Sequence, residues 1–420
     1  MATIRAFKGT RYSAEDISAL VAPPYDVISE SERAGFAAQS PHNVVFLTLP
    51  EQNADDRSKY IKYARSASRL EEWLRNAVIQ VEDKPTFYRL KQTFKTPYGD
   101  EFTRTALIAT IKVEPYENGV VLPHEQTFPK HKEDRLRILE ATKSHLECIF
   151  GLFEDPDRSI LGQIDSANVV PMSDVTTDDG VRHVVEGIKD EATIKKLEAA
   201  FETKKVWIAD GHHRYETALN FRQMQPEGGE PIAEDFLMMA LSSMEDPGLV
   251  LLPTHRILKR VEGDIRERLK ADYWTMEDCP NADLMSKIES IQAAGQRAFG
   301  VALPGGNGFV LVIPELDKVL AEIKTECSNE LKSLDVTILH EVIFAKHLGL
   351  TGLDFFGYTR DPKEAVEAVE AGAPGAFLMN PPSVQDMGVI ANGGEKMPQK
   401  STYYYPKIIS GLVMWRLKDF

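Results

Sequence analysis

The run VWIADGHHRYETALNFRQM, residues 206–224, constrains the fold more than any other stretch. Its four leading apolar residues predict a short strand. Tyr215, Ala218, Leu219 and Arg222 then follow helical spacing. The chain must pass from strand to helix within Asp210–Arg214. Asp210 is the predicted N-cap, because its carboxylate can accept from the unfilled N–H groups of a first helical turn. Gly211 allows a sharp bend or close approach to a ligand. His212, His213 and Arg214 stand at the end of a helix whose dipole favours anions. Each cation there costs roughly 0.3–1 kcal/mol at an exposed site. A bound phosphate would reverse that cost, since Arg214 offers a bidentate fork and backbone N–H groups add to it. A neutral His212 or His213 can donate to a phosphate oxygen, shuttle a proton or bind metal. Asp210 can hold Mg2+ beside the phosphate. The blander reading is a capped helix with a structural histidine pair. Five functional-type residues in one turn favour the site.

Two further windows carry charge. LPHEQTFPKHKEDRLR, residues 122–137, collects His124, Glu125, Lys130, His131, Lys132, Arg135 and Arg137. Its cations again oppose a helix dipole. Glu125 is placed to act as general base for an attacking hydroxyl. GGEKMPQKSTYYYP, residues 393–406, offers Lys396, Lys400, Ser401 and Thr402 to an anion without the order of a P-loop. Alone, these windows also read as a solvated loop and a basic turn. His340–Glu341 is followed by VIFA, so no zinc-protease pattern forms. His340 lies on an apolar helical run and is expected to pack in a core. The serines and cysteines have no adjacent base, so covalent catalysis is unsupported.

Elsewhere the chain alternates. TFYRLKQTFKT and FTRTALIATIKV flank a PYGD turn and predict a hairpin. IFGLFED predicts a buried strand, 181–205 a helix, and DFLMMALSSM either state. ADLMSKIESIQAAG predicts a helix, and FGVAL and FVLVIP a hairpin around PGGNG. This mixed order predicts an α+β fold, with hairpin-bearing mixed sheets and packed helices, rather than a doubly wound sheet. Four segments are expected: 1–80 packing on the core, 81–258 as catalytic core, 259–330 as an α/β subdomain, and 331–420 returning to the site.

At 420 residues and 43% hydrophobic content the chain can bury more than one core. No apolar run approaches the ~18–20 residues of a membrane helix. Three scattered cysteines and no apolar leader lead to a cytoplasmic expectation. The net charge of −15 argues against nucleic acid as a partner, because phosphate neutralisation needs a basic excess.

VAPPYDVIS, LPHEQTFPKHKEDRL, ADGHHRYETAL, LPTHRIL, LDVTILHE and MPQKSTYYYPKIISGL together resemble the domain-of-unknown-function family numbered 1015. Within it the D-G-H-H-R block is similar to the phosphate-handling turn of the ParB and sulfiredoxin superfamily, some members of which are free L-serine kinases. The resemblance implies a ParB/sulfiredoxin-like core with additional α/β segments. It implies that Asp210, His212, His213 and Arg214 hold donor phosphates with Mg2+, and that Glu125 deprotonates the acceptor. The expected activity is phosphate transfer from ATP, ADP or pyrophosphate to a small hydroxylated metabolite, L-serine by preference. Asp210, His212 and Glu125 are the expected catalytic residues. Gly211, His213, Arg214, Lys130, Lys132, Arg135, Lys396, Lys400 and Ser401 are the expected phosphate ligands, and Asp210 the metal ligand. A homodimer is the expected assembly. The alternatives are a ParB-like nucleotide-binding switch without turnover and a metal-dependent phosphohydrolase using His212 and His213.

Overall fold

The computed structural model describes residues 1–97, 99–125, 129–226, 228–398 and 400–420; of residues 129–132 and Leu353 it describes the backbone alone. Helices interleave with mixed sheets, as an α+β chain requires. Two compact units form. One comprises Met1–Pro123, Thr127–Val250 and Pro406–Phe420; the other His124–Gln126 and Leu251–Tyr405. The four expected segments regroup accordingly. Residues 1–80 share a unit with most of 81–258, because strand Ile4–Arg5 pairs with strand Glu101–Lys112.

The first unit is built on a nine-stranded sheet. Its order is Val121–Leu122, Val206–Asp210, Ile149–Phe153, Phe236–Ser243, Glu101–Lys112, Phe87–Lys95, Arg182–Ile188 and Val170–Thr176, with Ile4–Arg5 off this path. The hairpin expected around PYGD is Phe87–Lys95 with Glu101–Lys112, and Gly99 supplies a φ of 95° in its turn. Phe236–Ser243, ambiguous in sequence, is a strand buried along its whole length. It runs parallel to Ile149–Phe153 and antiparallel to Glu101–Lys112, and a strand covered on both faces reads as a continuous apolar run. The helix expected over 181–205 is shorter, Glu191–Phe201. Arg182–Ile188 is instead a strand between Phe87–Lys95 and Val170–Thr176. Its Val184–Val185 pair was masked by the Ala-, Lys- and Glu-rich run that follows. Helix Ile61–Arg75 packs on Pro129–Thr142, which packs on His212–Gln223.

The second unit holds a six-stranded antiparallel sheet, ordered Thr275–Pro280, Asn307–Ile313, Arg297–Ala302, Ala376–Leu378, His255–Leu258 and Phe356–Thr359. The PGGNG hairpin is present, with Gly305 and Gly306 at φ 92° and 82°. Leu284–Ala293 and Pro362–Glu370 cover the sheet through Leu284, Ile288, Ala365 and Val369. The LDVTILHE run opens into a π-helix, Ile338–His347. Among the described residues no helix is long and apolar enough to cross a membrane.

Phe153 ends the strand beside Val206–Asp210 and is fully buried, edge-on to Phe201 at 4.7 Å between ring centroids. Phe153→Ala is expected to cost about 3–5 kcal/mol in urea unfolding, the range for emptying a packed aromatic site. A loss below about 1 kcal/mol would contradict this packing.

Candidate functional site

Strand Val206–Asp210 pairs with Ile149–Phe153, and its register slips between Ile208 and Asp210. Such a slip re-aims the side chain at the strand end. The cap position falls to Gly211, one residue later than expected, and Asp210 ends the strand. Gly211 has φ 93° and ψ 28°, a left-handed conformation that glycine adopts at little cost. A Cβ there would stand 3.0 Å from Arg214 Nε. The position therefore demands glycine twice over: once for its backbone and once for the guanidinium folded across it.

Arg214 reaches back over that glycine. Its Nη2 donates to Asp210 Oδ2 at 3.1 Å and its Nη1 to the Cys148 carbonyl at 2.6 Å. The other Asp210 oxygen accepts from Lys407 Nζ at 2.5 Å. Burial pushes the Asp210 carboxyl up, but Lys407, Arg214 and His212 outweigh it and hold it below the usual carboxylate range. Burial works against the charge of Arg214 too. Glu147, Asp210, Asp26 and Tyr25 overcome it and raise the guanidinium pKa. The charge that looked misplaced at a helix start is thus answered within the chain, by a carboxylate one turn earlier.

Around this pair, distant segments converge. Arg135, on helix Pro129–Thr142, lies over the Tyr25 ring at 3.9 Å and pairs with Asp134 at 2.5 Å and Glu147 at 3.5 Å. Glu147 also accepts from the Tyr25 backbone N–H at 3.0 Å and the Ser410 hydroxyl at 2.9 Å. Burial moves the Tyr25 phenol up to about 12, against the pull of Arg214 and Arg135. Arg104 is fully buried, stacked on Phe150 at 4.5 Å, and donates to Gln92 Oε1 at 2.5 Å and the Pro406 carbonyl at 2.6 Å. Burial takes its pKa down to about 10, opposed by Asp246 and Asp210.

Arg135, Glu147, Arg214, Thr48, Ser144 and Thr217 line a cavity of about 50 Å³. That holds a few waters or one small oxyanion, given roughly 10–15 Å³ per water on this measure. The Nε atoms of both Arg135 and Arg214 are buried with no hydrogen-bond partner. His212 is buried and His213 half-buried in the same first turn.

The Lys130 and Lys132 side chains fall outside the described residues. Glu125, Lys396, Lys400 and Ser401 belong to the second unit. There Glu125 Oε1 accepts from the Lys400 N–H at 3.4 Å, and Glu125 bridges Met397. The two charged windows of the sequence are therefore neighbours. The Ser401 hydroxyl donates to the Pro398 carbonyl. Sequence reasoning missed Tyr25, Arg104, Glu147 and Lys407. Tyr25 and Lys407 stand inside the quoted blocks VAPPYDVIS and MPQKSTYYYPKIISGL, so a signal was present; Arg104 and Glu147 sit in ordinary amphipathic contexts. Asp210 gives one oxygen to each of two cations. Among the described residues no three His, Cys, Asp or Glu side chains gather to hold an ion. The donor set does not fit a protein-built Mg2+ centre.

The Asp210 pKa is lower in the folded chain than in the unfolded one, so its stabilisation is complete above roughly pH 4 and lost as pH falls through the folded value. Asp210→Asn is expected to be less stable than the parent at pH 7, with the gap closing below about pH 4 in guanidinium unfolding. A gap unchanged down to about pH 2 would refute the charge role. Gly211→Ala should cost about 1–3 kcal/mol, from a left-handed alanine and a displaced Arg214.

No curated protein matches the chain. Among solved structures it is similar to a mutant free serine kinase in complex with ADP, at 13% identity and TM-score 0.36, covering 71% of this chain and 87% of that one. A conserved hypothetical protein from Pyrococcus furiosus is similar at 17% identity and TM-score 0.34, over 74% and 96%. SbnI from Staphylococcus aureus, truncated at its C-terminus, follows at 9% and 0.32, over 72% and 85%. Likeness this distant transfers no residue's role. The model of the family described as "Protein of unknown function (DUF1015)" matches residues 4–337, most of the sequence, and the chain belongs to that family.

Proposed function

We propose that the chain is a phosphotransferase that binds a phosphate of its donor at the Asp210–Arg214 turn. One observation carries the reading. Arg135 and Arg214 line one small cavity, each held by its terminal nitrogens and each with Nε unpartnered. A phosphate oxygen is the natural acceptor for guanidinium edges held in this way. His212 and His213 stand in the same helical turn and are proposed to add donors or a proton path.

In the reaction the acceptor hydroxyl oxygen attacks the terminal phosphorus. The bond from phosphorus to the donor's leaving oxygen breaks, and the hydroxyl proton passes to a base. Positioning and charge neutralisation supply most of the rate in such a transfer. The protein's share is to hold the phosphate oxygens, with Asp210 and Glu147 keeping the guanidiniums in place. Mg2+, where used, would take its ligands chiefly from phosphate oxygens. The acceptor is proposed to be L-serine and the donor ATP, ADP or pyrophosphate, on the strength of the D-G-H-H-R resemblance. That resemblance also gives Glu125 the role of base.

The test is incubation of the full chain and Mg2+ with L-serine and each donor, read as phosphoserine by mass spectrometry. Absence of phosphoserine or any other phosphorylated product, across a panel of hydroxylated acceptors, would sink the proposal. Free phosphate released without acceptor dependence would indicate hydrolysis. Arg214→Lys is expected to lower turnover by about 10²-fold or more, through loss of the planar fork. Glu125→Gln is expected to lower it on the same order if Glu125 is the base. Full activity in Glu125→Gln would remove it from the mechanism and leave the phosphate site standing.

A further inference from the structure

The second unit contains a buried positive charge with no opposite charge beside it among the described residues. Arg256, in the strand His255–Leu258, is 1% exposed and sits between Phe356–Thr359 and Ala376–Leu378. Its partners are all neutral. Nη1 donates to the Thr254 carbonyl and to Met379 Sδ at 3.0 Å, and Nη2 to the Lys400 carbonyl at 3.2 Å. Nε has no partner. Burial moves the pKa down to about 10, and the titratable neighbours that act on it are Tyr358 and Arg360. Among the described residues no carboxylate pairs with Arg256 or Arg360.

The groups around it share the deficit. Tyr358 stands directly opposite Arg256 in the ladder, its ring 5.8 Å from the guanidinium, and its hydroxyl has no partner. Arg360, two residues on, lies on the Tyr403 ring at 4.0 Å with its own Nε unpartnered. His340 packs edge-on to Phe356, which projects from the same sheet face as Tyr358, and its Nε2 is likewise unpartnered. Burial and the field of Arg256 hold that imidazole neutral, with a pKa of about 3. His340 is carried on the π-helix Ile338–His347, a geometry that recurs at functional sites.

A buried charge left unpaired costs several kcal/mol, and each orphaned buried donor about 1–3 kcal/mol. Four such atoms on one face are hard to reconcile with a purely structural role. Tyr358 and Arg360 are only half-buried, so the cluster runs from a sealed guanidinium to the surface of its unit. We propose that Arg256, Tyr358, Arg360 and His340 form a second oxyanion site, distinct from the Asp210–Arg214 turn, that takes the phosphate or carboxylate of a small metabolite. Donors dominate the cluster, which excludes a cation. The Nε edges offer planar recognition of two oxygens, the tyrosine hydroxyl adds a third donor, and the neutral imidazole becomes protonated more readily once an anion is bound.

The test uses the full chain. Inorganic phosphate and, separately, acetate are titrated in while the His340 ring resonance is followed by NMR, assigned by its loss in His340→Gln. A saturable shift with phosphate identifies a phosphate site, and one with acetate a carboxylate site; either supports the proposal. Tyr358→Phe and Arg360→Gln, each leaving Arg256 in place, should weaken that binding about fivefold or more, as expected for a hydrogen bond to a charged group. Arg214→Lys should leave it unchanged. No shift with either anion up to about 50 mM, or equal affinity in folded Tyr358→Phe and Arg360→Gln, would overturn the site. So would abolition of the shift by Arg214→Lys, which would assign the binding to the other unit.

Discussion

Asp210 is the carboxylate on which the first unit's charged interior depends. It receives Arg214 from the next helical turn and Lys407 from the returning C-terminal segment. That segment is fixed at the same place by Arg104 donating to the Pro406 carbonyl and Gln92 to the Lys407 carbonyl. Removing one member of a buried ionic group leaves the others as uncompensated charges, typically at about 3–5 kcal/mol. Replacing the whole group with apolar residues is often neutral. Stability alone therefore does not call for this arrangement. What the pairing adds is register: it fixes which part of a long chain meets the strand–helix turn.

The two units handle positive charge differently. In the first, Arg135, Arg214 and Lys407 each meet a carboxylate, and Arg104 lies within the fields of Asp246 and Asp210. In the second, Arg256 and Arg360 meet carbonyls, a thioether and aromatic faces. A chain of net charge −15 has carboxylates to spare, so their absence around Arg256 among the described residues is not a shortage of partners. It is local, and it coincides with the π-helix.

Much of the architecture was legible because it rests on local patterns. The PYGD and PGGNG hairpins, the VWIA strand and the Glu191–Phe201 helix follow from periodicity and turn chemistry. Arg182–Ile188 was not legible, since one edge pairs with Phe87–Lys95, far away in the chain, and the other with Val170–Thr176, a mostly exposed strand just before it. The same limit applies to the site. D-G-H-H-R announced itself because unlike residues stood together. Glu147 and Arg104 matter only through where folding brings them, and nothing in their own neighbourhoods marks them. The cap shifted to Gly211 because the left-handed bend had to fall on glycine, which left Asp210 at the strand end with its carboxylate turned to two cations.

A guanidinium held entirely by protein acceptors has no capacity left for a ligand; one held by none is free to wander. Arg135 and Arg214 lie between these limits. Terminal nitrogens are spent on Asp134, Glu147, Asp210 and the Cys148 carbonyl, which fixes the plane of each group. The Nε edges remain. Donors fixed before the ligand arrives need little reorganisation, and in a poorly solvated cavity they act more strongly than in water. The absence of a side chain at Gly211 is part of the same design, because it lets the Arg214 plane lie flat against the backbone. Under the proposed phosphate reading the acidic partners work for anion binding rather than against it: they neutralise the cations enough to bury them and orient the edges that remain.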